Sequence, residues 1–280
     1  SPFYLILNYE PIILCLFLIL IMGISHGALD NIKGRKLFKI FGYKSSVYFY
    51  LAYIFISVLI IASWLCFPNT VLFIFLVVAS YHFGKEDTVF SFKRKFLISE
   101  FLFFLKGSSI ILMPLLLKKA ETIEIFRILN FNVFESSIFT DQFLIITLFL
   151  SFLSSLYISQ KKNVNLIGIM VMDFFSLFIL NFFLTPVLAF TLYFCFLHSI
   201  RHSIKLIFEL DKSIKSGFRK FISRAIPLTL VTGVIFLLAI FFLNNFYKLD
   251  EAIYKVIFIG LASLTFPHIL LEYLLEKNEK

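Results

Sequence analysis

Charge is what this chain has least of. Asp, Glu, Lys and Arg make up 15% of its 280 residues against 60% hydrophobic ones, too little polar surface to coat a soluble globule of that size. There are three cysteines, Cys15, Cys66 and Cys195, each inside an apolar run. That excludes a disulfide framework and makes them reduced packing residues. No Gly- or Pro-rich linker, internal repeat, low-complexity tail or charged domain interrupts the chain, so a single domain over residues 1–280 is expected. The first apolar run has no basic segment before it and no small-residue cleavage site after it, so no cleavable signal peptide is expected.

What is present is lipid-soluble sequence, with 40 phenylalanines among the 280 residues. Apolar stretches run over about 11–29, 46–67, 70–89, 96–117, 141–159, 164–183, 186–208, 223–245 and 253–275, against a need of roughly 17–25 residues per membrane-spanning helix. The fold class expected is therefore all-α: a polytopic integral membrane bundle of nine transmembrane helices. The count drops to eight if one of the tight turns at Pro68-Asn69 or Leu184-Thr185 is a bend rather than a hairpin. With the N-terminus outside and the C-terminus cytoplasmic, 19 basic residues fall on the inner side and 5 on the outer, which satisfies the positive-inside rule. The net charge of +9 then reflects orientation and contact with anionic lipid, not nucleic acid. Residues 119–135 and 211–222 mix charge with apolar residues at helical spacing and are expected to lie along the membrane interface.

All five histidines, His26, His82, His198, His202 and His268, lie inside these apolar stretches. On the nine-helix count, the first, third, seventh and ninth stretches run inward. Their histidines fall about 12–16 residues from each start, or about 18–24 Å down at about 1.5 Å per residue. Histidine is costly in hydrocarbon unless it faces the bundle interior and finds partners. A common layer, with His198 and His202 four apart as two imidazoles sharing one ion would be, points to a buried metal centre. A bis-histidine haem is not excluded by the spacing. Five histidines are fewer than di-iron desaturase boxes use. Lys106 lies mid-stretch, but its neighbours do not resemble the Schiff-base helix of a retinal pigment.

The residues around the histidines carry a resemblance. The segments Ile24-Ser-His-Gly-Ala-Leu-Asp30, Tyr81-His-Phe-Gly-Lys-Glu-Asp87, Tyr193-Phe-Cys-Phe-Leu-His-Ser-Ile-Arg-His202 and Phe258-Ile-Gly-Leu-Ala-Ser-Leu-Thr-Phe-Pro-His268 closely resemble the Brp/Blh family of membrane-bound β-carotene 15,15′-dioxygenases. They occur in order across nearly the whole chain. The resemblance implies a catalytic membrane domain that binds non-haem Fe(II) and cleaves β-carotene with dioxygen at its central double bond, giving two retinal molecules for delivery to a rhodopsin. It implies residence in the lipid bilayer of a bacterial or archaeal cytoplasmic membrane. Carried over position by position, the catalytic iron ligands are His26, His82, His198 and His202. His268 is either a fifth ligand or a hydrogen-bonding support to one. The competing class is a non-enzymatic carrier or assembly protein that holds haem, metal or carotenoid.

Neutral imidazoles suit iron, zinc and copper alike, so ligand type alone does not choose the metal. Metal-ligating histidines usually donate their second N–H to a carboxylate or carbonyl. Asp30 is four residues after His26, Asp87 five after His82 and Glu272 four after His268, so each is expected to support the histidine on its own segment. Asp173 is deeper and is expected to pair with Arg201 or Lys106. Tyr81 and Tyr193 are candidates to orient oxygen or water, and Phe83, Phe194, Phe196 and Phe266 to line a substrate tunnel open to the bilayer. Gly23 and Gly27 flank His26 at the spacing that lets helix backbones approach closely. Pro267 is expected to kink the last helix beside His268.

Overall fold

A computed structural model describes residues 11–43, 45–88, 97–136, 138–160 and 164–278, without the side chains of residues 24–26, 97, 159, 160 and 164–166. Among the described residues every regular element is helical. Helix α1 (Ile12–Leu18) passes through a π turn, Ile19–Gly23, and a 3₁₀ turn, Ile24–Leu29, into α2 (Asp30–Ile40). Then come α3 (Val47–Cys66), α4 (Pro68–Glu86), α5 (Leu97–Leu117), α6 (Lys119–Ile128), α7 (Asp141–Gln160) and α8 (Val164–Phe183). Helix α9 (Pro186–Leu192) runs through a second π turn, Tyr193–Ser199, into α10 (Ile200–Leu210), followed by α11 (Ile214–Leu243) and α12 (Leu249–Asn278).

Each of the nine apolar stretches falls on helix. Six helical runs are long and apolar enough to cross a membrane: Val47–Cys66, Ile98–Leu117, Asp141–Ile158, Pro186–Leu210, Ile214–Leu243 and Leu249–Asn278. A seventh results if Ile12–Gly23 and Gly27–Ile40, bent by 41°, form one span. The first stretch is thus not the regular helix expected over 11–29. It breaks where the histidine motif begins, because π and 3₁₀ turns replace the α-helical hydrogen-bond ladder there. Residues 214–222 form the first turns of α11, which continues without a break to Leu243. Helix α12 continues through Pro267 to Asn278.

The chain divides into two compact units, residues 1–15 with 72–198, and residues 16–71 with 199–280. In the first, α5 packs on α7 and α8 along a seam of buried serines, with the Ser151 hydroxyl donating to the Lys106 carbonyl at 3.1 Å. Helices α4 and α5 touch backbone to backbone. A Cβ added at Gly84 would lie 1.8 Å from the Phe103 carbonyl oxygen, and one at Gly107 the same distance from that of Ser80. Small residues permit this approach in a bundle where lipid supplies no hydrophobic drive between helices. Among the described residues Gly27 makes no such close contact: a Cβ there would meet the Asp30 side chain at an ordinary 3.5 Å.

In the second unit α12 packs on α2, α3 and α11, with Leu37, Phe49, Leu271 and Leu275 forming one apolar cluster. Ala28, Leu29, Leu206, Ile207, Phe221 and Ala225 form another. Helix α11 turns large side chains outward, Phe241 being 78% exposed. Such a surface is stable only against hydrocarbon.

Candidate metal centre

In the first unit the site is built from α4 and the π turn after α9. Helix α4 stops at Glu86 and leaves Asp87 in a turn, which Lys106 of α5 holds through a 2.9 Å hydrogen bond from its ammonium group to the Thr88 hydroxyl. Asp87 Oδ1 lies 2.9 Å from Nδ1 of His198, and the Tyr193 hydroxyl donates to Oδ2 of the same acid. An Nδ1 proton donated to the carboxylate leaves the neutral ring's lone pair on Nε2, the nitrogen that can ligate a metal. The His82 ring stands 5.4 Å from that of His198, both buried. Phe83 meets His198 edge-on at 4.7 Å, and Phe194 stacks on it at 5.9 Å. A cavity of about 30 Å³ adjoins the acid, lined by Asp87, Lys106, Asp173, Ser109, Ser155 and Tyr193 among others. It is large enough for water.

The second unit repeats the device with other helices. Asp30 opens α2, where the positive end of the helix favours a carboxylate. Its Oδ1 and Oδ2 lie 2.9 and 3.0 Å from Nδ1 of His268 on α12. The Tyr53 hydroxyl of α3 lies 3.0 Å from Asp30 Oδ2 and 3.3 Å from the Leu264 carbonyl oxygen. His202 and His268 are buried with ring centroids 6.0 Å apart. One ligand atom each from His202, His268 and Glu272 fall within 4.8 Å of one another, close enough to hold an ion. Glu272 also pairs with Lys33.

Both aspartates therefore hold a histidine of another segment. Asp30 reaches His268 on α12, and Asp87 reaches His198 in the π turn after α9. Glu272, expected to support His268, is tied to Lys33. Both acids sit at a helix end, from which the side chain reaches an imidazole of another element. The backbone of His26 lies in the 3₁₀ turn, but its side chain lies outside the described residues. Tyr193 faces the candidate centre, whereas Tyr81 points away and donates to Glu100. Phe83 and Phe194 pack on His198, Phe196 is exposed and Phe266 half-buried. A π turn ends at Ser199, between His198 and His202, so the regular four-residue spacing assumed for that pair does not describe this stretch. Three partners escaped the sequence reading: Tyr53, one of several tyrosines in an apolar run, Lys33, counted as a loop charge, and Thr88.

No solved structure matches this chain. It is 28% identical over 266 residues to a protein described as β-carotene 15,15′-dioxygenase from an uncultured marine bacterium, 66A03, covering 91% of this chain and 90% of that protein. A family model described as β-carotene 15,15′-dioxygenase matches residues 17–276, every described histidine and aspartate of both clusters included. The chain belongs to the β-carotene 15,15′-dioxygenase family.

Proposed function

We propose that this protein cleaves β-carotene with dioxygen at the 15,15′ double bond, and that the products are two molecules of retinal. One dioxygen supplies the two aldehyde oxygens, so no further oxidant is needed. The observation that carries the reading is the family match over residues 17–276, joined to two buried histidines that carboxylates hold by Nδ1. The donor set suits non-haem Fe(II), since oriented neutral imidazoles and a carboxylate are iron ligands, though such donors also accept zinc or copper. His26, His82, His198 and His202 would hold the iron, with His268 as a fifth ligand or a support. The iron would activate dioxygen beside the central alkene. The chain's own part is to orient and to exclude: Asp87 and Asp30 fix the tautomer of their histidines, and Phe83 and Phe194 keep water from the His198 ring.

Purified protein given β-carotene and ferrous iron in air should yield two retinals per carotene, and none under argon or with a ferrous chelator. Formation of longer or shorter aldehydes would move the cleavage point, and carotene retained unchanged in air would favour the carrier reading.

The same proposal includes nine spans in a cytoplasmic membrane, with N-terminus outside, C-terminus cytoplasmic, and retinal handed to a rhodopsin. The lopsided basic charge supports that orientation. A reporter near residue 130 should read as outside and one after residue 280 as cytoplasmic; a cytoplasmic signal at residue 130 would overturn the orientation.

A further inference from the structure

An apolar cavity of about 490 Å³ in the second unit lies between the π turn Ile19–Gly23, α10 and α11. That volume falls within the range of about 300–1,000 Å³ that holds small organic ligands. Its rim is open to the apolar exterior, with Ile204 48% and Ile226 50% exposed. Its walls are mostly hydrocarbon, with three hydroxyl-bearing residues, Ser199, Ser203 and Thr229, among them. Ser199 lines the cavity, is fully buried, and its hydroxyl makes no hydrogen bond among the described residues. Helical serines ordinarily return their hydroxyl to a carbonyl three or four residues back, as Ser154 and Ser155 do here. A buried hydroxyl without that bond is costly and marks where a ligand's polar atom is accommodated. In the chain Ser199 stands between His198 and His202, so this polar point of the cavity belongs to the histidine motif.

We propose that this cavity binds one arm of the polyene substrate, entering from the bilayer, with Ser199 donating a hydrogen bond to the aldehyde oxygen that cleavage creates. This rests on the carotene-cleavage reading above. A saturated lipid chain would fill the hydrocarbon walls equally well but would leave the hydroxyl unmatched. The uncleaved hydrocarbon offers no acceptor either, so the Ser199 bond forms only as oxygen is added. Interactions gained along the reaction raise turnover and not substrate affinity. The cavity rim and Ser199 therefore make different contributions: the rim governs binding, and Ser199 governs the rate.

The test uses iron-loaded protein. Under argon, where turnover stops, β-carotene retained through gel filtration measures binding; in air, retinal formation gives kcat and KM. Ile226→Trp should lower retention about tenfold or more by filling the mouth, with iron content unchanged. Ile204→Trp, on the facing helix, should do the same. Ser199→Ala, which removes a hydroxyl that makes no hydrogen bond among the described residues and so should not destabilise the fold, should leave retention intact and lower kcat about fivefold. Wild-type turnover with full retention in both tryptophan variants would overturn the channel while leaving carotene cleavage standing. Displacement of β-carotene by stearic acid at equal concentration, with Ser199→Ala indifferent, would show a lipid channel instead. A wild-type protein that neither retains nor cleaves β-carotene would overturn the functional reading itself, and the channel with it.

Discussion

His198 in the first unit and His268 in the second are held in the same way by unrelated helices. Each has Nδ1 against a buried aspartate, and each aspartate takes a tyrosine hydroxyl as well, Tyr193 on Asp87 and Tyr53 on Asp30. Each aspartate also follows a different histidine in the chain, by five residues at His82 and by four at His26. The surroundings diverge. His198 is walled by Phe83 and Phe194, with Lys106 behind the acid. His268 has His202 and Glu272 beside it, and Lys33 bound to the glutamate. The common part teaches that the motif is a crossed pair: one segment supplies a histidine and lends its acid to the histidine of another. The different part suggests that an apolar wall isolates one imidazole while the other sits in a second, more polar ligand group.

The largest effect expected tests whether the two histidines are equivalent. His198→Ala should remove most bound iron and abolish retinal formation, since losing one of few ligands is rarely tolerated. His268→Ala should lower activity substantially yet retain more iron, measured by metal analysis on equal amounts of detergent-purified protein. Equal iron loss in both would make His268 a full ligand and leave fewer positions for dioxygen.

The aspartates sharpen the same contrast one step further out. Replacing a residue that supports a metal ligand costs about 10–100-fold in metal affinity or activity. Asp87→Asn should lower iron affinity about 100-fold and Asp30→Asn about 10-fold, because Asp87 holds one of the four proposed iron ligands, whereas Asp30 holds His268, the fifth ligand or support. Chelator competition reads both constants. The reverse order would exchange the roles of His198 and His268.

Much of this was legible in the sequence, and what was not has a physical reason. Hydropathy located the six helical runs long and apolar enough to cross a membrane, because a helix in lipid must be apolar along its length. The four histidine segments were legible because a costly residue persists in hydrocarbon only with a use. Partner choice was not. Spacing along one helix reveals neighbours on that helix alone, so the bonds of Asp30 to His268 and of Asp87 to His198 follow only from the packing of α2 on α12 and of α4 beside the second π turn. The π turn at the third motif had no signal either: no proline or glycine pair marks Tyr193–Ser199.

Glycine positions compare the units by stability instead of chemistry. Gly84→Ala or Gly107→Ala drives a methyl into a facing carbonyl oxygen at 1.8 Å, and backbone cannot yield as a side chain can. Either should cost about 1–3 kcal/mol or more, seen as earlier thermal unfolding in detergent. Gly27→Ala meets only a 3.5 Å contact with Asp30 and should be nearly neutral for stability. Similar melting curves for Gly107→Ala and Gly27→Ala would break the assignment of the tight crossing to α4 and α5.

The smallest expected effect separates the two tyrosines. Tyr193→Phe and Tyr53→Phe each delete one hydroxyl from a buried aspartate, worth about 1.5–3 kcal/mol for a hydrogen bond to a charged group, less whatever water replaces. The replacement differs between the units. The acid bonded to Tyr193 faces the cavity of about 30 Å³ that Tyr193 itself helps line, so a water molecule has room to take the place of the lost hydroxyl. Tyr53 also lies against the Leu264 carbonyl oxygen, and its loss leaves both that group and Asp30 short of a donor. Tyr53→Phe should therefore destabilise more than Tyr193→Phe, while activity per folded molecule falls only a few-fold, about 2–5-fold, in each. Thermal unfolding read beside retinal formation separates the two quantities. If Tyr193→Phe proves the more destabilising, the cavity beside Asp87 does not admit water, and the similarity of the two clusters extends to their second hydrogen bonds.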